Sequence, residues 1–209
     1  MGQNYNNLLL NVNDVEDQFR IRQWYALFTL YYSTNGPSWF TNWGNFGSRE
    51  CSLHGVECTQ KQDFNSGIAY DAVIGVDLRS NSLNGRLPYD LAMLSHLEYI
   101  DVSENTLVGT IPELLITSTV SMSNFSIYHN TISGTLSTSF GTSWVNMQVF
   151  DVANNTIRGT IPESLYQWSE STEIDLSGNM LTGTIPQSIC SKFFTVPIVY
   201  DPSLPPCNS

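Results

Sequence analysis

The chain has 209 residues, of which 41% are hydrophobic and 12% aromatic, enough to bury a sizeable core and to exclude general disorder. Eight basic against 19 acidic residues give a net charge of −11, which excludes a phosphate-binding footprint for nucleic acid and an electrostatic hold on an anionic membrane. Only 13% of residues are charged, about half the usual share, so Asn, Ser, Thr and Gly must make up much of the surface, a composition suited to repetitive β architectures.

The longest apolar run near the start, Leu8-Leu9-Leu10, is too short for a signal peptide or a membrane span. Any targeting segment is therefore expected to be absent from this chain, and no direct membrane insertion is expected of it. Next, DVEDQFRIRQWYALFTLYY at 14–32 places Val15, Phe19, Trp24, Leu27, Phe28 and Tyr31 at helical spacing. The pattern predicts an amphipathic helix begun at Asp14 and stopped by Asn35-Gly36-Pro37. Trp39 and Trp43 follow in NGPSWFTNW, and CSLHGVEC then spaces Cys51 and Cys58.

From residue 73 the sequence repeats. VIGVDLRSNSLNGRLP, LEYIDVSENTLVGTIP, MSNFSIYHNTISGTLS, MQVFDVANNTIRGTIP and STEIDLSGNMLTGTIP superimpose on Asn81, Asn105, Asn130, Asn155 and Asn179, which are 24, 25, 25 and 24 residues apart. A glycine stands four residues after each asparagine, from Gly85 to Gly183. Apolar residues alternate before the asparagine (Val76 and Leu78, Ile100 and Val102, Phe125 and Ile127), the period of a half-buried strand. Stacked coils would pair these strands in parallel, and the inward asparagine amide would satisfy backbone groups left unpaired between coils. Pro88, Pro112, Pro162 and Pro186 end each flanking stretch, with Ser137 in place of the third proline and Ser171 in place of an opening leucine.

The form L-x-L-x-x-N-x-L-x-G-x-I-P resembles the plant-specific class of leucine-rich repeats, which implies a concave parallel sheet and a second short sheet beside it. The helix, the two tryptophans and the C-x6-C segment are similar to the N-terminal caps of plant and algal extracellular members, YYSTNGPSW most of all to algal and diatom ones, with Leu53 in place of the usual tryptophan. The expected fold is thus an α/β repeat: a short solenoid with a concave parallel sheet, a flanking sheet and two caps. Residues 1–72 would form the N-terminal segment and cap, 73–189 five repeats, and 190–209 a C-terminal cap. Four cysteines permit three connectivities. Cys51–Cys58 and Cys190–Cys207 are expected, because a rod of repeats holds the two ends apart, and the bonds imply an oxidising compartment: secreted, cell-surface or another oxidising lumen.

Function is expected on the concave face, without catalysis. Asp77, Asp101, Ser126, Asp151 and Asp175 fall four residues before each asparagine, a column with about 4.8 Å between neighbours. Like charges in it repel, and a cation or basic partner would relieve them, though one carboxylate per strand is a poor metal cage. Gly75, Tyr99, Asn124, Val149 and Glu173 flank the column on one side, and Arg79, Ser103, Tyr128, Ala153 and Ser177 on the other. Tyr99, Asp101, Asn124, Tyr128, His129 and Asp151 are the candidate contacts for a protein, peptide or glycan, since aromatics at the centre of a concave surface suit an interface hot spot. Residues 71–209 hold 13 acidic and 4 basic residues and residues 1–70 hold 6 and 4, so the repeats carry the acidity and a basic partner is favoured.

Other readings are also open. Thr106, Thr131 and Thr156 follow three of the asparagines directly, and Thr110, Thr135, Thr160 and Thr184 follow at five residues, ladders that suggest an ice- or surface-adsorbing face interrupted by Arg158. The resemblance also implies inhibition of cell-wall hydrolases as an alternative. Asn124-Phe125-Ser126 and Asn154-Asn155-Thr156 are candidate glycosylation sequons. His54, His96 and His129 are scattered, no nucleophile elbow or phosphate-cradling loop is evident, and neither a cofactor nor an enzymatic activity is expected.

Overall fold

The computed structural model describes residues 14–44, 49–192 and 198–205. Helix α1 (Val15–Ser33) starts at Asp14, whose carboxylate accepts from Asp17 N, with Glu16 and Asp17 in the first turn where the helix dipole favours acids. It ends as Thr34 N donates to Leu30 O, and Asn35 then takes a left-handed φ of 58°. Ala26, Leu27, Leu30 and Tyr31 are buried from this helix, and Trp39 and Trp43 close over it. The two indole N–H groups donate to Thr34 O and His54 O, so both large side chains are buried without an orphaned donor. Cys51 and Cys58 are joined by a disulfide. Cys190 is also disulfide-bonded, and Cys207, its expected partner, lies outside the described residues.

The concave sheet contains β1 (Val56–Gln62), β2 (Ala69–Asp77), β4 (Tyr99–Asp101), β6 (Asn124–Ser126), β8 (Val149–Asp151) and β10 (Glu173–Asp175), in that spatial order. Strands β2 to β10 run parallel, whereas β1 is an antiparallel edge strand joined to β2 by the turn at 63–68. At the other end the cap segment continues the sheet through a parallel bridge between Asp175 and Val199. The flanking strands β3 (Asn84–Arg86), β5 (Thr106–Gly109) and β7 (Thr131–Ile132) form one small sheet, and β9 (Arg158–Gly159) and β11 (Met180–Leu181) a second. The expected single flanking sheet is thus split between the third and fourth coils, which are linked there by the Thr135–Arg158 bridge. Short α2 (Glu113–Ser118), α3 (Ser139–Ser143) and α4 (Gln187–Lys192), with 3-10 turns at Tyr89–Met93 and Glu163–Gln167, line the convex side.

Each coil buries the same positions. Val76, Ile100, Phe125, Phe150 and Ile174 make one buried row, Leu83, Leu107, Ile132, Ile157 and Leu181 another. The middle coils are filled by aromatics, with Phe125, Phe140, Trp144, Phe150 and Trp168 in successive ring contacts of 4.9–5.8 Å. Two sequence departures are accommodated locally. Ser171, at the expected leucine position, is exposed, and the neighbouring Thr172 is buried instead, donating to Met147 O at 2.8 Å; Ser137, in the proline position, donates to Glu113 Oε1 at 3.0 Å.

Candidate functional site on the concave face

The asparagines lie in register and bind the coils together. Asn105 Nδ2 donates to Leu78 O of the preceding coil and to Val102 O and Ser103 O of its own, while its Oδ1 accepts from Asn81 N and Leu83 N. Asn130, Asn155 and Asn179 repeat the pattern, and Asn81 uses it to hold Thr41 in the cap. The side chain thus takes up donors and acceptors that a turning backbone cannot pair by itself.

This rigid spine aligns the surface columns. Gly75, Tyr99, Asn124, Val149 and Glu173 are lateral partners across the strands, as are Asp77, Asp101, Ser126, Asp151 and Asp175. The aspartates are structural, because Asp77, Asp101, Asp151 and Asp175 accept from the backbone N–H two residues on, at Arg79, Ser103, Ala153 and Ser177. They close the turn that ends each concave strand, so mutual repulsion alone does not call for a cation. Burial pushes the Asp151 carboxyl above its ordinary range against the Ala153 N–H, and the Asp175 and Asp101 charges add to the rise. Among the described residues no His, Cys, Asp and Glu set is arranged to hold a metal ion. Ser103 and Ala153, expected on the surface, are buried, because their short side chains lie below longer neighbours and the Ser103 hydroxyl bonds that of Ser126.

Beside these columns runs a row with left-handed backbone: Ser80, Glu104, His129, Asn154 and Gly178, at φ between 51° and 64°. It carries the most organised polar cluster on the face. Glu104 accepts from Ser80 Oγ and from Arg79 at 2.9 Å, and the Tyr128 hydroxyl donates to it as well. The Arg79 guanidinium also stands 5.0 Å from the Tyr128 ring centroid, and His129 packs edge-on to that ring. The Ser80 hydroxyl and the Arg79 charge hold the Glu104 carboxyl below its usual range. At the cap end, Tyr99 donates to Glu57 Oε2 at 2.6 Å, and burial together with that carboxylate raises its hydroxyl well above an ordinary tyrosine. Three coils and the cap therefore present Arg79, Tyr99, Glu104, Tyr128 and His129 in fixed orientations.

A family model described as Leucine Rich Repeat matches residues 96–117, 146–168 and 172–192. The chain folds as a leucine-rich-repeat solenoid. Its fold is that of plant receptor ectodomains. The leucine-rich-repeat ectodomain of the receptor kinase SOBIR1 from Arabidopsis thaliana is 23% identical over 90% of this chain and 91% of that one, with a TM-score of 0.71. The BIR3–SERK2 complex from the same plant contains a chain 24% identical over 88% of this chain and 98% of that one, at a TM-score of 0.72. A third likeness is the Arabidopsis receptor kinase HAESA in complex with the peptide hormone IDA and the co-receptor SERK1, 22% identical over 86% of this chain and 33% of that chain, at a TM-score of 0.60.

In this leucine-rich-repeat solenoid the threonine ladders are partly committed to its own coils. Thr106 and Thr156 donate to Leu83 O and Ile132 O across the flanking strands. Thr110, Thr135 and Thr160 are exposed, but their methyl groups sit over Gly134, Gly159 and Gly183 of the following coil. Thr131 and Thr184 are exposed as well. Of the two sequons, Asn154 is exposed, whereas Asn124 is half-buried in β6 and accepts from Ser123 Oγ. The structure brings Tyr128 and His129 together, with Asp101 and Asp151 in the adjoining column. Reading the sequence by columns misses Glu104 and Glu57, although one further column, the residue before each asparagine, contains Glu104.

Proposed function

We propose that this chain is a non-catalytic recognition module of the cell surface or extracellular space, which binds a protein or peptide across the concave sheet and its rim. The reading rests on the cluster Arg79, Glu104, Tyr128 and His129, an aromatic and charged patch whose side chains are held before any ligand arrives. Preorganised side chains lose little entropy on binding, which favours a rim of this kind over flexible surface residues. The peptide hormone and co-receptor in the HAESA complex support a protein or peptide ligand. The Cys51–Cys58 disulfide suits an oxidising compartment. Glu57, Asp77, Asp101, Glu104, Asp151 and Asp175 outnumber Arg79 and Lys61 on this face, so the partner's contact surface carries positive charge.

The test is affinity capture from extracellular material of the source, with the Tyr99→Ala/Tyr128→Ala variant beside the parent. A captured protein or peptide should lose affinity for the variant by about 100-fold, the effect of truncating two interface anchors. Equal capture by a variant that is still folded at the assay temperature would place the site elsewhere.

A further inference from the structure

Among the described residues no strand pairs with the outer edge of β1, and its pattern is complementary to itself. Asp63 N donates to Ile68 O across the hairpin, so Lys61–Tyr70 and Thr59–Ala72 are hydrogen-bonded pairs of the alternating antiparallel ladder. Cys58, Gln60 and Gln62 then turn their N–H and C=O groups away from β2. No other backbone segment among the described residues bonds to them. Glu57, Thr59 and Lys61 share one face of the strand, where Glu57 meets Tyr99 and Lys61 stands 3.8 Å from Glu98.

We propose that two copies of this chain pair antiparallel through β1, with Thr59 opposite Thr59 of the second copy. In this register Cys58 stands opposite Gln60 of the second copy, so outward donors meet outward acceptors on both strands. Glu57 stands opposite Lys61 of the second copy, and Lys61 opposite its Glu57. A shift by two residues in either direction keeps the backbone bonds but sets Glu57 against Asp63 or against Thr59, losing both ion pairs. An isolated edge lysine keeps strangers off a sheet. Here the glutamate four residues earlier turns that guard into a selector for a second copy. Phe64, 99% exposed at the hairpin tip, points beyond the paired segment towards the exposed His54 region of the other copy. The two concave sheets join into one, and the rim cluster at Arg79 and Glu104 stays clear of the seam. The pairing is independent of any ligand on the concave face.

The interface is one strand wide, so the dimer is weak and concentration-dependent. Sedimentation velocity up to about 500 µM should resolve it, because a dissociation constant of about 100 µM populates it visibly there. Glu57→Lys and Lys61→Glu should each weaken it by about ten-fold, since like charges then oppose at two places, and the double exchange should restore it. Hydrogen exchange of the Cys58, Gln60 and Gln62 amides in the unaltered chain should slow as concentration rises, a readout that needs no variant. A monomer throughout the range, or dimerisation indifferent to the single reversals, overturns the proposal. Failure of the double exchange to restore pairing overturns the register.

Discussion

Tyr99 donates its hydroxyl to Glu57 across 42 residues of sequence, and its ring fills the space over Gly75, where an added Cβ would come within 1.9 Å of it. The contact ties the strand of the second repeat to the cap hairpin. Tyr99→Phe keeps the ring and removes the bond, and should lower stability by about 0.5–1.5 kcal/mol at pH 7 in urea unfolding. The hydroxyl pKa is raised in the folded chain, so its contribution is present below the ordinary tyrosine value of 10.0 and lost as pH rises beyond it. The variant should accordingly show a shallower alkaline fall in stability than the parent.

The asparagine ladder gives a larger effect. Asn155 is 6% exposed, donates to Ile127 O, Val152 O and Ala153 O, and accepts from Ile132 N at 2.9 Å. Asn155→Ala strands these backbone groups between two coils and should cost about 3 kcal/mol or more, because unsatisfied buried groups lose their full solvation. Among the described residues the side chain of Asn81, at the cap junction, bonds only Thr41, accepting from its N–H and donating to its O. Asn81→Ala should therefore shift the urea midpoint less than Asn155→Ala, and equal shifts would contradict the ladder's unequal load.

Most of this architecture is legible in sequence because a solenoid with a constant period turns a fixed offset into a lateral neighbour. Tyr99 and Asn124, 25 residues apart, are paired across β4 and β6 on that ground alone. The hairpin of β1 and β2 is not legible in the same way: VECTQKQ has no apolar alternation, and the strand exists because β2 offers it an edge. Glu104 escapes a reading by period because its role depends on Arg79, Ser80 and Tyr128 from neighbouring coils, and a flexible carboxylate leaves no periodic mark. The flanking sheet divides where β7 and β9 shrink to two residues each, a length that pairing propensity does not reveal.

The left-handed row makes a prediction about backbone strain. Gly178 has φ 64°, and a Cβ there would lie 2.3 Å from Asn154 Oδ1. Gly178→Ala should cost about 1–2 kcal/mol, the penalty of a left-handed alanine before the clash is counted. His129, at φ 52° in the same row, holds a conformation that histidine tolerates and asparagine adopts more readily. His129→Asn should raise the thermal midpoint slightly while weakening any partner that uses the imidazole. Opposite signs for the two substitutions in calorimetry are the expected signature.

Asp151 links stability to pH through the same columns. Burial raises its pKa above the ordinary value of 3.8, and the neighbouring Asp175 and Asp101 charges raise it further. A carboxyl of this kind contributes stability that is fully present below its unfolded pKa and is lost as pH climbs through the folded one. Asp151→Asn retains an oxygen for the Ala153 N–H, now bonded at 3.0 Å, but carries no charge. The variant should match the parent near about pH 3, where both are neutral, and be the more stable of the two at about pH 7. Added salt should narrow the gap at neutral pH by screening Asp175 and Asp101. A variant less stable than the parent at neutral pH would show that the charged Ala153 N–H bond outweighs burial and repulsion together, and would reverse the assigned direction.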